Sequence, residues 1–129
     1  MSMRSGFLTE LVRAIGKGKV IVSGRFRPNG SSAIDNTQNV GKGWQVAHTS
    51  TGLYTITFDK NFDALQDVRP ELWMGTPATA HETRVGVYTA AGRTITISQF
   101  TSGSLADIAS DANNWISFTA VFKNTAAPG

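Results

Sequence analysis

The stretch from Asp111 to Asn124 constrains the fold most tightly. A polar turn, Asp111-Ala-Asn-Asn114, runs into nine residues that alternate faces. Ile116, Phe118, Ala120 and Phe122 share one side; Trp115, Ser117, Thr119, Val121 and Lys123 share the other. This two-residue period belongs to a strand with one buried face. A strand this apolar is expected to complete a core that earlier elements begin, and no reactive cluster lies in or near it.

The same texture recurs along the chain. Strands are expected over residues 20–27, 44–48, 53–58, 68–74, 84–89, 93–100 and 115–123, separated by turn sequences such as Ser50-Thr-Gly52, Asp59-Lys-Asn61 and Thr101-Ser-Gly-Ser104. Tyr88-Thr-Ala-Ala-Gly-Arg93 reads as a tight hairpin. Single helical turns are expected at 63–66 and 105–109. Seven short strands at this spacing, without crossover helices, predict an all-β domain: a sandwich, jelly roll or small barrel. Pro70 places the 68–74 strand at a sheet edge, since proline cannot donate to a ladder.

Only residues 5–15 carry a helical pattern, with Phe7, Leu8, Leu11, Val12 and Ile15 on one face. Ser5 suits the N-cap and Gly16 the stop. So short a helix needs a docking surface, either one end of its own domain or a neighbouring subunit. The expected organisation is an N-terminal arm over 1–19, a β domain over 20–124 and a flexible tail over 125–129. Within the β domain, the polar loop 29–43 is long enough to be functional or mobile.

Length and composition narrow the classes. A chain of 129 residues fits one domain that can bury a sizeable core unaided. It has no cysteine, which removes disulfides, thiolate zinc sites and cysteine nucleophiles. No apolar run approaches a membrane span, and the start lacks the apolar core of a secretory signal. The sequon at Asn29 then reads as a plain turn. Charge is uneven. Residues 1–42 carry seven Lys/Arg against two acids, a net +5, and residues 43–129 carry five against seven, a net −2. A basic front end suits an acidic partner, protein or nucleic acid, although solvated charge is the simpler reading.

The search for chemistry finds none. His48 and His81 stand in no metal or triad spacing, and His48, sharing a face with Trp44 and Val46, reads as a satisfied half-buried residue. Asp59-Lys-Asn61-Phe-Asp63 has the oxygen alternation of a calcium loop, but Ala64 and Pro70 stand where the glycine and the bidentate glutamate belong. Gly16-Lys-Gly-Lys19 and Gly41-Lys-Gly43 lack phosphate-loop spacing. No enzyme, catalytic residue, metal or cofactor is expected. Lys17, Lys19, Arg25, Arg27 and Lys42 beside Phe26 and Trp44 could serve a small single-stranded nucleic-acid-binding barrel, though few aromatics are available for stacking. Trp73 lies on a strand face with Arg69 and Glu71, where it is either covered by a loop or part of an interface.

Gly52-Leu-Tyr-Thr-Ile-Thr-Phe58, Thr94-Ile-Thr-Ile-Ser-Gln-Phe100 and Trp115-Ile-Ser-Phe-Thr-Ala-Val-Phe-Lys-Asn124, behind a short basic N-terminal segment, resemble the small virion structural proteins of tailed bacteriophages, of the capsid cement or decoration type. The resemblance covers roughly residues 40–124. It implies a jelly-roll or tulip-like β domain on the outer capsid surface, made in the bacterial cytoplasm. Such a protein is a dimer or trimer that bridges major capsid proteins, with no catalytic residue to carry over. Attachment would run through the 1–19 segment and the 29–43 loop. The interface candidates are Phe7, Leu8, Leu11, Val12, Ile15, Lys17 and Lys19, with Trp73. A head fibre or tail component is the nearest alternative, and the nucleic-acid barrel follows it.

Overall fold

The computed structural model describes residues 19–62, 64–75 and 80–123. It is all-β, with two antiparallel sheets facing each other across one core. The expected helix over 5–15 and most interface candidates (Phe7, Leu8, Leu11, Val12, Ile15 and Lys17) lie outside the described residues.

Among the described residues there are eight strands: β1 (Lys19–Phe26), β2 (Trp44–Ser50), β3 (Leu53–Phe58), β4 (Ala64–Trp73), β5 (His81–Val85), β6 (Thr94–Thr101), β7 (Ser104–Leu105) and β8 (Trp115–Lys123). One sheet has the order β1-β8-β4. The other runs β2-β3-β6-β5, with the two-residue β7 paired to the end of β6. β8 buries one face, as its alternation predicts, and is the central strand of its sheet. It runs beside β1 from Lys19↔Lys123 to Phe26↔Ile116 and beside β4 from Ala64↔Lys123 to Trp73↔Trp115. Pro70 does sit on an edge strand, β4.

Several boundaries differ from expectation. β4 begins at Ala64, so residues 64–66 are strand rather than a helical turn, and a bulge between Leu65 and Asp67 resets the register. The pull of seven further pairings along β8 outweighs the weak local helical preference of Ala-Leu-Gln. The turn expected at 105–109 is also absent: Leu105 pairs with Phe100, and Ala106 N–H donates to the Gln99 carbonyl. β5 spans His81–Val85 instead of 84–89, because Gly86 leaves the ladder after one bond to the Thr96 carbonyl. The hairpin closes at the Thr89↔Thr94 bridge, with Arg93 in the left-handed region at φ 58°.

The core is aromatic. Phe58 packs edge-to-face on Phe122 at 4.9 Å, and Phe62 stacks on Phe122 at 4.4 Å. Trp44 meets Phe118 at 4.9 Å and Phe26 at 6.3 Å. Such pairs add about 0.5–1.5 kcal/mol each beyond area burial. Gly24 makes room for the Trp44 indole: a Cβ there would lie 2.4 Å from Trp44 Cζ2. The buried Gln99 is satisfied, accepting from Thr83 Oγ1 at 2.6 Å and donating to the Phe100 carbonyl.

Loop 29–43 is pinned to both sheets. Val40 exchanges two backbone hydrogen bonds with Arg25, at 2.8 and 2.9 Å, along the free edge of β1. The Asn36 amide donates to the Val46 carbonyl and accepts from Val46 N–H, at 3.0 and 2.9 Å, capping the free edge of β2. Ile34, two residues before Asn36, packs against the core. On the opposite side, Pro70 and the bulge blunt β4, while β5 is short and carries Glu82 and Arg84. These are the devices that keep sheet edges from pairing with another chain.

Candidate functional site

The outer face of the three-stranded sheet holds the most distinctive surface cluster. Register places Arg25 level with Ser117 and Glu71, and Trp115 directly opposite Trp73. The alternation that buries Val22 and Phe26 of β1 turns Arg25 outward; past the strand end, Arg27 joins it. The Arg25 guanidinium carbon lies 4.4 Å from the Trp115 ring centroid and 5.1 Å from that of Trp73. Arg27 lies 5.8 Å from Trp115. Trp115 is fixed by its Nε1–H donating to the Ala112 carbonyl at 3.2 Å. Trp73 keeps 45% of its surface exposed.

Both arginines are half-buried, yet neither makes an ion pair or side-chain hydrogen bond among the described residues, and their Nε groups are inaccessible and unpartnered. Glu71 shares the row of Arg25 but pairs with neither arginine. With Nε closed off, an outside carboxylate would meet these guanidiniums end-on, at their terminal Nη groups. The cluster is a half-buried, pre-stacked pair of cations on two indoles.

The sequence-predicted residues separate. Trp73 joins the cluster, covered on one side by an arginine from a distant strand rather than by a loop. Lys19 is exposed at the far end of β1. Arg25 and Arg27, named as basic residues of a nucleic-acid barrel, do reach the surface. Their proposed stacking partners do not: Phe26 and Trp44 are core residues with 0% and 5% exposure, so that stacking arrangement is ruled out. The pairing of Arg25 with Trp115 escaped sequence reasoning because 90 residues separate them. Alternation alone did place each of the two on an outward face.

The remaining titratable constellation is structural. His48 Nε2 lies 2.7 Å from Asp107 Oδ1, which also accepts from Gly52 N–H at 2.7 Å. Burial acts to raise the Asp107 pKa, but the Gly52 N–H and His48 outweigh it and hold the carboxyl below its ordinary value. Tyr54 packs on His48 at 5.6 Å, and burial pushes its phenol up. His48 is satisfied and half-buried as its strand face suggests. No hydroxyl hydrogen-bonds His48 among the described residues. The pair clasps the 106–110 segment onto the β2–β3 turn. Gly52 (φ +69°) is required there, because a Cβ would meet Ala106 N and the Gln99 carbonyl at 2.7 Å. Among the described residues no group of three or more His, Cys, Asp or Glu is placed to hold a metal, and no helix is long and apolar enough to cross a membrane.

No protein-family model, curated protein or solved structure matches the chain.

Proposed function

We propose that this chain is a non-enzymatic virion structural protein, a capsid cement or decoration protein with a jelly-roll-type domain, which bridges major capsid proteins on the outside of a phage head. One observation carries the reading toward a protein partner: two guanidiniums, unpaired among the described residues, laid over two indoles on one sheet face. Tryptophan and arginine dominate the energetics of protein interfaces, and desolvated guanidiniums select carboxylates. The guarded edges support association by faces rather than by strand addition, both for the homo-oligomer and for the shell.

A single-stranded nucleic-acid module ranks second, because the same cluster offers charge and π surface. Against it, arginine already covers the indole faces that bases would need.

Light scattering coupled to size exclusion is expected to give a discrete dimer or trimer. Co-sedimentation with assembled heads should retain the protein, and Arg25→Glu or Trp73→Ala should weaken retention about tenfold or more. A monomer that ignores heads but binds oligo-dT, with affinity falling steeply as salt rises, would turn the assignment to nucleic acid.

A further inference from the structure

We propose that the recess beside Arg27 is a separate binding site for one neutral polyhydroxylated residue, such as the terminal hexose of a glycan. The recess has a volume of about 190 Å³ and is lined by Arg27, Pro28, Asn29, Asp35, Gln38 and Ser110. At ~30 Å³ per water it has room for about six waters, which is comparable to one pyranose with its hydroxyls.

Its polar groups are arranged with capacity to spare. Asn29 spends its Nδ2 on the Ala33 carbonyl at 3.0 Å, leaving Oδ1 open. Asp35 Oδ1 accepts from Thr37 N–H and Oγ1–H at 3.0 and 2.6 Å, leaving Oδ2 open. The side chains of Arg27, Gln38 and Ser110 make no hydrogen bond among the described residues. Open donors and open acceptors therefore line one small cavity together, and a ring of hydroxyls can use both.

The charges decide the ligand class. Arg27 and Asp35 line the same recess without pairing with each other. A bound anion would face the Asp35 carboxylate, which the Thr37 hydrogen bonds keep ionised to lower pH than usual. A bound cation would face Arg27. A neutral polyol meets neither penalty: one hydroxyl donates to Asp35 and another accepts from Arg27. The walls are also preformed. Loop 29–43 is tied to β1 and β2, and Gly30 N–H donates to the Ile108 carbonyl at 2.9 Å, drawing the Ser110 segment against it. Preorganisation of this kind lowers the ordering cost of binding.

The recess shares Arg27 with the arginine–tryptophan cluster but needs no capsid partner, and its test uses the uniformly ¹⁵N-labelled full chain. Methyl glucoside, methyl galactoside and methyl mannoside are titrated while the Asn29 and Gln38 side-chain amide resonances are followed. At least one glycoside is expected to shift both resonances saturably in the millimolar range. Gln38→Ala and Asp35→Asn should each weaken it about tenfold, the loss of one hydrogen bond to a poised group, with the backbone spectrum otherwise unchanged. The proposal fails if none of the three moves these signals. It fails equally if inorganic phosphate moves them where the glycosides do not, which would make the recess an anion site.

Discussion

The two outer faces of the molecule both lay an arginine over an aromatic ring, and they differ in what happens to the charge. On the five-stranded sheet, Arg84 lies 5.0 Å from the Phe100 ring, and Glu82 takes it in a two-point contact, Nε–H to Oε1 and Nη2–H to Oε2, both at 3.0 Å. The neighbouring outward positions on β3 and β6 are Thr55, Thr57, Thr94, Thr96 and Ser98, so the face is nearly neutral. On the three-stranded sheet, Arg25 lies over Trp115 and Trp73 and Arg27 over Trp115, and neither forms an ion pair among the described residues. Stacking is therefore a way to hold a guanidinium still. Whether the held guanidinium can recruit a partner depends on the missing acid. Arg69 and Asp67 of β4 do pair, but both are well exposed, and such pairs are worth little.

Removing what the faces share gives the largest effect. Phe122 lies under β8 and contacts Phe58, Phe62 and Tyr88. Phe122→Ala should cost about 3–5 kcal/mol in urea denaturation and unsettle both faces alike. The contrast itself is tested by Trp73→Ala against Phe100→Ala. The first should cost about 2 kcal/mol of docking with little change in stability; the second should leave docking untouched, measured by co-sedimentation. If both lose docking equally, the unpaired charge is not what distinguishes the faces.

Smaller changes sharpen the picture. Gly24→Ala pushes Trp44 off β1 and should destabilise by about 1–3 kcal/mol, seen as a lower urea midpoint. Asp107→Asn tests the clasp away from either face, and should cost about 1 kcal/mol at neutral pH. The Asp107 carboxyl is held below its ordinary value of 3.8 in the fold. Its contribution is therefore present above that pH and lost as pH falls toward the folded value. The variant should show a shallower acid limb in a pH series of urea melts. Thr96→Ala, on the hydroxyl face, should stay within about 0.5 kcal/mol of the parent in stability.

Alternation made most of the fold legible. The faces of 115–123 and 53–58 follow the period of two, and Pro70 announces its edge. What stayed hidden depends on partners far along the chain. Ala64–Gln66 looks helical until β8 offers a ladder. Ala106–Ala109 looks like a turn until Asp107 finds Gly52 and His48. The site divides in the same way. Trp73 stood out as a tryptophan among charges. Alternation puts Trp115 on an outward face but says nothing of its role, and Arg25's neighbours in sequence are not the strands that flank it in the sheet.

The double anchoring of loop 29–43 carries a consequence for how the protein is handled in bulk. One segment shields the open margins of both sheets on the same side, so the two margins fail together. A protease nick near the exposed Ser31-Ser32-Ala33 tip would loosen both ties, whereas loss of the Asn36 amide would free only the Val46 backbone groups of β2. The nicked chain would then be a strand acceptor for its neighbours, and fibrous precipitate binding thioflavin would report it.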